Sequence, residues 1–442
     1  MLIKEPDEHV SGRTQELLGL ADEALLDHLQ HAAFDYFLAT VNPKNGLVSD
    51  TTRPNSPCSI AVVGFALSCY PIAVERGWLD RAKAIQLTLA ALRFFHSSEQ
   101  SVKPDATGYK GFYYHFLDMK TGRRVWHCEL SMIDTAILIA GMLTAAQYFQ
   151  KHTQDETEIR ERAQAMYLRA DWRWSQGGEA TIRMGWKPEC GYLHYGWDGY
   201  SEAIILYALA MGSPSHPVSD ACYKAWTLTY QWENLYSYDF LYAGPLFIHQ
   251  FSHAWIDFRR LRDAFMREKT SDYFENSRRA VEVQRRYCEH NPDGFTGYDR
   301  NCWGLTACDG PQQDTRQFYG YAARGVPYGP DDGTLAGSAV LASLPFAPEA
   351  VMTSVRAMLE RYPEMLPQDR YASSFNPSLA DIGQPAWISY GHFGLDQGIV
   401  VMMVENYRSE LIWRLMRNNV HLAHGLRRAG FRGGWLNPRG EK

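Results

Sequence analysis

The sequence predicts an all-α protein, an (α/α)6 toroid of inner and outer helices with long aromatic loops at one end. Three observations predict it. Apolar residues recur at helical period through most of the 442 residues, in about a dozen segments. Segments that are apolar on nearly every face alternate with segments charged on one side, as expected for inner and outer helices. The connections at 99–128, 174–199, 291–334 and 362–396 are long and rich in aromatics or glycine, and loops of that length in a compact domain are usually functional.

In order, the helical segments lie near 16–40, 58–76, 79–98, 130–150, 157–173, 200–211, 217–232, 245–267, 272–290, 335–343, 347–361 and 397–426, the last being one long helix or two. Residues 59–74 and 131–146 carry almost no charge and must be buried all round, whereas 79–98 and 157–173 are half-polar. No short repeat and no Pro-, Gly- or Ser-rich linker divides the chain. The expected organisation is therefore an N-terminal arm, 1–15, and one domain, 16–442.

Composition narrows the function. The 44 basic and 50 acidic residues are well mixed, with no Lys/Arg run to track phosphates, which argues against nucleic acid as partner. Aromatics make up 13%, and many lie in the loops where a core explanation would not place them. The eight cysteines are scattered without a CxxC pair, so free thiols in a reducing compartment are expected and no zinc site. Met1 to Leu20 has no apolar core of a signal peptide, and no 18-residue apolar span follows. A cytoplasmic protein without a membrane partner is expected, or a periplasmic one if a leader has been removed. Neither a phosphate-binding loop, a dinucleotide fingerprint nor a nucleophile elbow is present, and no cofactor is expected.

Chemistry points to Trp197-Asp198-Gly199-Tyr200-Ser201-Glu202, which runs straight into an apolar helix. Glu202 falls in the expected first turn of 200–211. A carboxylic acid beside aromatic rings suits glycosidic cleavage, with an acid for the leaving oxygen and flat faces for sugar; the helix dipole alone would also favour an acid there. Ser131 and Asp134 have capping-box spacing, and Glu129 lies just before them. Asp396 in Leu395-Asp396-Gln397 reads as an N-cap or a site acid. Glu405, nine positions on, is about 180° round the helix and cannot share its face. Asp331-Asp332-Gly333-Thr334 reads as a turn. His249 and His253 sit at i and i+4, but Gln250 replaces the glutamate of a zinc-protease helix, so hydrogen bonds to sugar or core are expected and not a metal. Asp257 and Arg259 are expected to pair.

Several segments resemble the bacterial glucoamylase-like family that includes the endo-β-1,2-glucanases of glycoside hydrolase family 144. They are Ser59-Ile60-Ala61 with Ala73 to Trp78, Gly111-Phe112-Tyr113-Tyr114-His115-Phe116, Glu129 to Thr135 and Trp197 to Ala203. His249 to Arg259, Asp272 to Ser277, Trp303 to Ala307, Asp309-Gly310-Pro311, Phe375-Asn376-Pro377 and Leu395 to Gly398 follow in the expected order. The resemblance covers about residues 55–415 and implies an (α/α)6 toroid that hydrolyses β-1,2-glucan with inversion. By position, Glu202 resembles the general acid and Asp396 the proposed base. Glu129 and Asp134 resemble acids lining the same cleft.

The expected function is thus an inverting, endo-acting glycoside hydrolase on β-1,2-glucan. Trp126, Trp197, Tyr200, Trp303 and Tyr390 are expected as stacking platforms, and His249, His253, Asp309 and Asp332 as further substrate contacts. The alternatives are a retaining transglycosylase or exo-glycosidase on the same glucan, and a non-catalytic glucan-binding protein. For Glu202 to stay protonated near neutrality, burial or a nearby anion must outweigh the helix N-terminus.

Overall fold

A computed structural model describes residues 8–311, 320–380 and 386–437. The protein is rich in helix, with strands of only two to four residues. Helices form at Asp22–Thr40, Ile60–Arg76, Arg81–Ser97, Met132–Tyr148, Gln154–Arg169, Ile204–Gly212, Asp220–Thr227, Tyr273–His290, Gly337–Ala342, Pro348–Arg361 and Gly394–Arg408, near the expected positions. Of the expected arm, residues 1–7 lie outside the described residues; Glu8–Leu18 is helical, and Arg13 pairs with Asp369. No described helix is long and apolar enough to cross a membrane. The chain forms two compact units. One comprises 1–36, 232–251 and 276–408, the other 37–231, 252–275 and 409–442.

The second unit is organised on two helices. Ile60–Arg76 and Met132–Tyr148 are buried on all faces from Ile60 to Ala73 and from Met132 to Ala146, as their uniform apolarity demands. They pack backbone to backbone. A Cβ on Gly141 would lie 2.1 Å from the Gly64 carbonyl oxygen, and one on Gly64 would lie 2.4 Å from that of Ile137. The half-polar helices Arg81–Ser97 and Gln154–Arg169 cover this pair and are tied to each other by a two-pronged Arg81–Glu156 bridge at 2.9 Å.

A short strand runs into each of these buried helices. Cys58–Ser59 pairs with Phe116–Leu117, and Leu130–Ser131 lies between Phe112–Tyr114 and Gly185–Lys187 in an antiparallel five-stranded sheet. Helix packing therefore fixes where the ends of these strands sit.

In the first unit, Gly337–Ala342 packs against both Pro348–Arg361 and Gly394–Arg408. Glu405 is buried there and accepts a hydrogen bond from Gln30 at 3.0 Å.

Four expected helices differ, the first being segment 16–40, which breaks between Glu8–Leu18 and Asp22–Thr40. Segment 245–267 breaks into a 3-10 turn at Leu246–His249, a short helix at Phe251–Trp255, a strand at Leu261–Arg262 and a helix at Ala264–Glu268. The side chain of Gln250, at the break, donates to the Ala339 carbonyl and Ser343 Oγ at 2.8 and 2.9 Å, and this tertiary bonding outweighs local period. Segment 217–232 stops at Thr227, and Trp232–Leu235 pairs with Tyr238–Leu241 through a turn with positive φ at Tyr236 and Ser237. Segment 397–426 holds parts of three helices, interrupted at Glu410 (φ +57°) and restarted at Leu411 and Val420.

Gly141→Ala is expected to destabilise the protein by about 1–3 kcal/mol, because its methyl meets backbone that cannot step aside. A urea titration would show a lower midpoint with an unchanged slope. A wild-type midpoint would mean that the two helices part without cost.

Candidate active site

The strand ladder places His115 opposite Glu129, and the His115 amide donates to the Glu129 carbonyl at 3.0 Å. Their side chains meet as well, with Nδ1 2.8 Å from Glu129 Oε1, while Nε2 lies 3.6 Å from Asp134 Oδ2. Asp134 is positioned by the expected cap: its amide donates to Ser131 Oγ at 3.2 Å, and the Ser131 hydroxyl donates back to Oδ2. Gly185 leaves room for Glu129, since a Cβ there would fall 2.8 Å from Glu129 Cγ. The Phe116 ring stacks on His115 at 3.9 Å, and Trp126, 67% exposed, rests on Phe116 at 5.2 Å.

Charges in this cluster are interdependent. Burial alone would lower the His115 pKa, but Asp134, Glu129 and Asp50 outweigh it and raise it to about 9. Burial would raise Glu129, yet the hydrogen bond and charge of His115, helped by Lys187, hold it below the usual carboxylate range. Asp50 is pushed up to about 6 by burial, with Asp134 adding to the rise and His115 and Arg53 opposing it. The ligand atoms of His115, Glu129 and Asp134 lie within 4.8 Å of one another, a spacing that could surround a cation. Each ring nitrogen of His115 faces one carboxylate, so the imidazole bridges the two acids.

Glu202 lies two residues ahead of the Ile204–Gly212 helix, and not in its first turn as spacing predicts. Ser252 explains the late start. Its hydroxyl donates to the Glu202 carbonyl at 2.6 Å and accepts from the Ile205 amide at 3.1 Å, a cap supplied from elsewhere in the same unit. The half-buried carboxyl is pushed up to about 7, chiefly by burial and further by the charge of Asp134, against the lowering effect of a backbone amide. Nearby, Trp197 is buried and Tyr200 packs on Tyr230 and Tyr273, with centroids 5.8 and 5.9 Å away. Glu202 is thus brought within electrostatic reach of Asp134, in the unit that also holds Glu129, although it lies far from both in sequence.

The other unit holds the remaining candidates. Asp396 is half-buried and is the third residue of Gly394–Arg408, so of its two readings the N-cap falls away. It lies within electrostatic reach of Cys308, whose thiol burial pushes up to about 12, with Arg324 opposing and Asp396 adding. Asp309 is 2% exposed; its Oδ2 accepts from Ser389 at 3.1 Å and its carbonyl from Ser374 at 2.6 Å. Asp332 is held by both prongs of Arg324 at 2.7 Å, and Asp331 by Tyr298, Tyr287 and the Gly333 amide, which makes the segment the anchored turn expected. Tyr390 is 70% exposed.

Three expected sugar contacts sit in the core. Trp303 is fully enclosed, its indole N–H donating to Ser354 at 2.8 Å, so neither face is open to a sugar. His249 is buried, with Nε2 3.1 Å from the Ala243 carbonyl, and burial lowers it to about 4. His253 is buried against Phe258. The break at Gln250 also removes the shared helix face that their spacing implied. Asp257 and Arg259 pair at 2.8 Å as expected.

Sequence reasoning did not single out His115 or Asp50. His115 carries a signal, because Phe112-Tyr113-Tyr114-His115 reads as a strand whose neighbour could be the one entering the next apolar helix. Asp50 carries none; only the folded loop brings it to His115.

A profile of the glycoamylase family, described as "Putative glucoamylase", matches residues 194–420. An exo β-1,2-glucooligosaccharide sophorohydrolase (non-reducing end) of Parabacteroides distasonis is 26% identical over 444 residues, covering 92% of this chain. The chain spans 58% of that relative's length. Among solved structures, one from Bacteroides uniformis with the same glucoamylase description has a TM-score of 0.85 at 28% identity, covering 95% of this chain and 99% of that one. A β-1,2-glucanase from Parabacteroides distasonis has a TM-score of 0.83 at 25% identity, covering 93% of this chain and 60% of that one.

The geometry predicts that Asp134→Asn lowers the pKa of Glu202, because the lost negative charge no longer disfavours ionisation. Carbon-13 NMR of labelled glutamate carboxyls would follow it from about 7 in the wild type. A titration unchanged in the variant would remove Asp134 from the control of Glu202.

Proposed function

This chain belongs to the glycoamylase family, and from that premise we propose that it is a glycoside hydrolase of β-1,2-glucan and its oligosaccharides. The names of its relatives support the substrate class. The observation that carries the chemistry is Glu202, a carboxyl pushed up to about 7 within reach of Asp134, in the same unit as a Glu129 held below the usual carboxylate range. Two carboxyls driven apart by environment are what acid–base catalysis at one site requires.

In this reading the helices build an (α/α)6 toroid, and Glu202 is the general acid. It donates its proton to the glycosidic oxygen as the C1–O bond breaks through an oxocarbenium-like transition state. Asp396, ionised, takes a proton from the attacking water, directly or through a hydrogen-bonded chain, as the new C1–O bond forms with inversion. Trp126 and Tyr390, the most exposed of the expected platforms, offer faces for glucosyl rings. Endo-action on the linear polymer is the primary reading. The exo-acting name of the sophorohydrolase supports a second, release of sophorose from the non-reducing end.

Glu202→Gln is expected to fold normally by circular dichroism and to lose at least about 10²-fold in turnover. Near-wild-type rates would take Glu202 out of the acid role. Because its carboxyl is pushed up to about 7, the acid form dominates below that pH, and kcat/KM should fall as pH rises through it.

Linear β-1,2-glucan should yield short β-1,2-gluco-oligosaccharides, with little product from starch, cellulose or laminarin. Chromatography distinguishes a ladder of oligomers, from endo-action, from sophorose alone. Proton NMR of the first-formed product should show the α-anomer; a β-anomer would mean retention and recast one acid as a nucleophile. Activity confined to an α-glucan would end the substrate assignment.

A further inference from the structure

We propose that His115 is a positioning residue of this site, a cationic clamp that holds the Glu129 and Asp134 side chains in place. The inference rests on the hydrolase reading only for its role in turnover; the clamp itself stands on geometry. The backbone of His115 is tied at the entrances of both buried helices, its amide to the Glu129 carbonyl at 3.0 Å and its carbonyl to the Ile60 amide at 3.2 Å. The ring lies nearly parallel to Phe116, 3.9 Å away at 14°, which fixes its plane. From that plane Nδ1 meets Glu129 at 2.8 Å and Nε2 faces Asp134 at 3.6 Å. Gly185 admits the Glu129 side chain where a methyl would collide with its Cγ.

Among the described residues, the charged groups that bear most on the ring are acids: Glu129 beside the strand, Asp134 from the helix and Asp50 from the loop before Cys58. Lys187 acts on Glu129 and Arg53 on Asp50, while Asp134 also acts on Glu202. Without His115, Glu129 would lose the hydrogen bond and charge that hold it ionised against burial, and a higher pH would be needed to ionise it. His115 therefore sets the lower pH bound of the active form, while Glu202 sets the upper one.

The test is His115→Gln, with kcat/KM on linear β-1,2-glucan measured across pH and the fold checked by circular dichroism and Tm. The acid limb should move up by about one pH unit or more, with the basic limb moving less. A profile that keeps its shape while turnover falls would overturn the proposal, since a merely structural histidine does that. Independently of activity, nitrogen-15 NMR should show the His115 ring still protonated above pH 8 in the wild type and losing its proton at lower pH in Glu129→Gln. A wild-type ring titrating near the ordinary histidine value, about 6.5, would also overturn it. If the wild type does not cleave β-1,2-glucan, the hydrolase reading fails and the ring titration alone still decides the clamp.

Discussion

The contact between Gly64 and Gly141 is the constraint on which the candidate site depends. Two helices without polar faces can be buried only against each other and against covering layers, and the absence of a Cβ at both positions lets their backbones touch. That depth brings the strands entering them, Cys58–Ser59 and Leu130–Ser131, to neighbouring places on the ladders that carry His115 and Glu129. Any residue that forced these helices apart would move the acids with them. Packing and chemistry are therefore coupled through the backbone.

Electrostatics then divides the labour. Four carboxyls and one imidazole act on one another in the second unit, and they do not share one protonation behaviour. Glu129 has a cation within hydrogen-bond distance and is held ionised; Glu202 has burial and an anionic neighbour and is pushed up to about 7. The difference comes from position, because the two side chains are chemically identical. Asp134 links the two environments: it faces His115 on one side and raises Glu202 on the other.

Where the structure departs from the periodicity of the chain, a tertiary hydrogen bond or a left-handed residue is responsible. Gln250 bonds to Ala339 and Ser343 and breaks a helix that apolar spacing would continue. Ser252 caps the Ile204–Gly212 helix and leaves Glu202 outside it, in a turn. Glu410, in the left-handed region, ends a helix that composition would extend. The hydrogen bonds of Gln250 and Ser252 join residues 47 to 93 positions apart, so no local window could contain them.

By itself the sequence determined the helix-rich class and the two all-buried helices, because apolar residues on every face admit no other environment. It also determined the Ser131–Asp134 cap, the Asp331 turn and the Asp257–Arg259 pair, all of them matters of local spacing. Only the tertiary structure decided that Trp303, His249 and His253 belong to the core, since an aromatic or imidazole ring has the same local signature in a cleft as in an interior. It alone decided that His115 and Asp50 join Glu129 and Asp134. Charge interactions act through space and depend on burial, and neither distance nor burial is written in the order of residues.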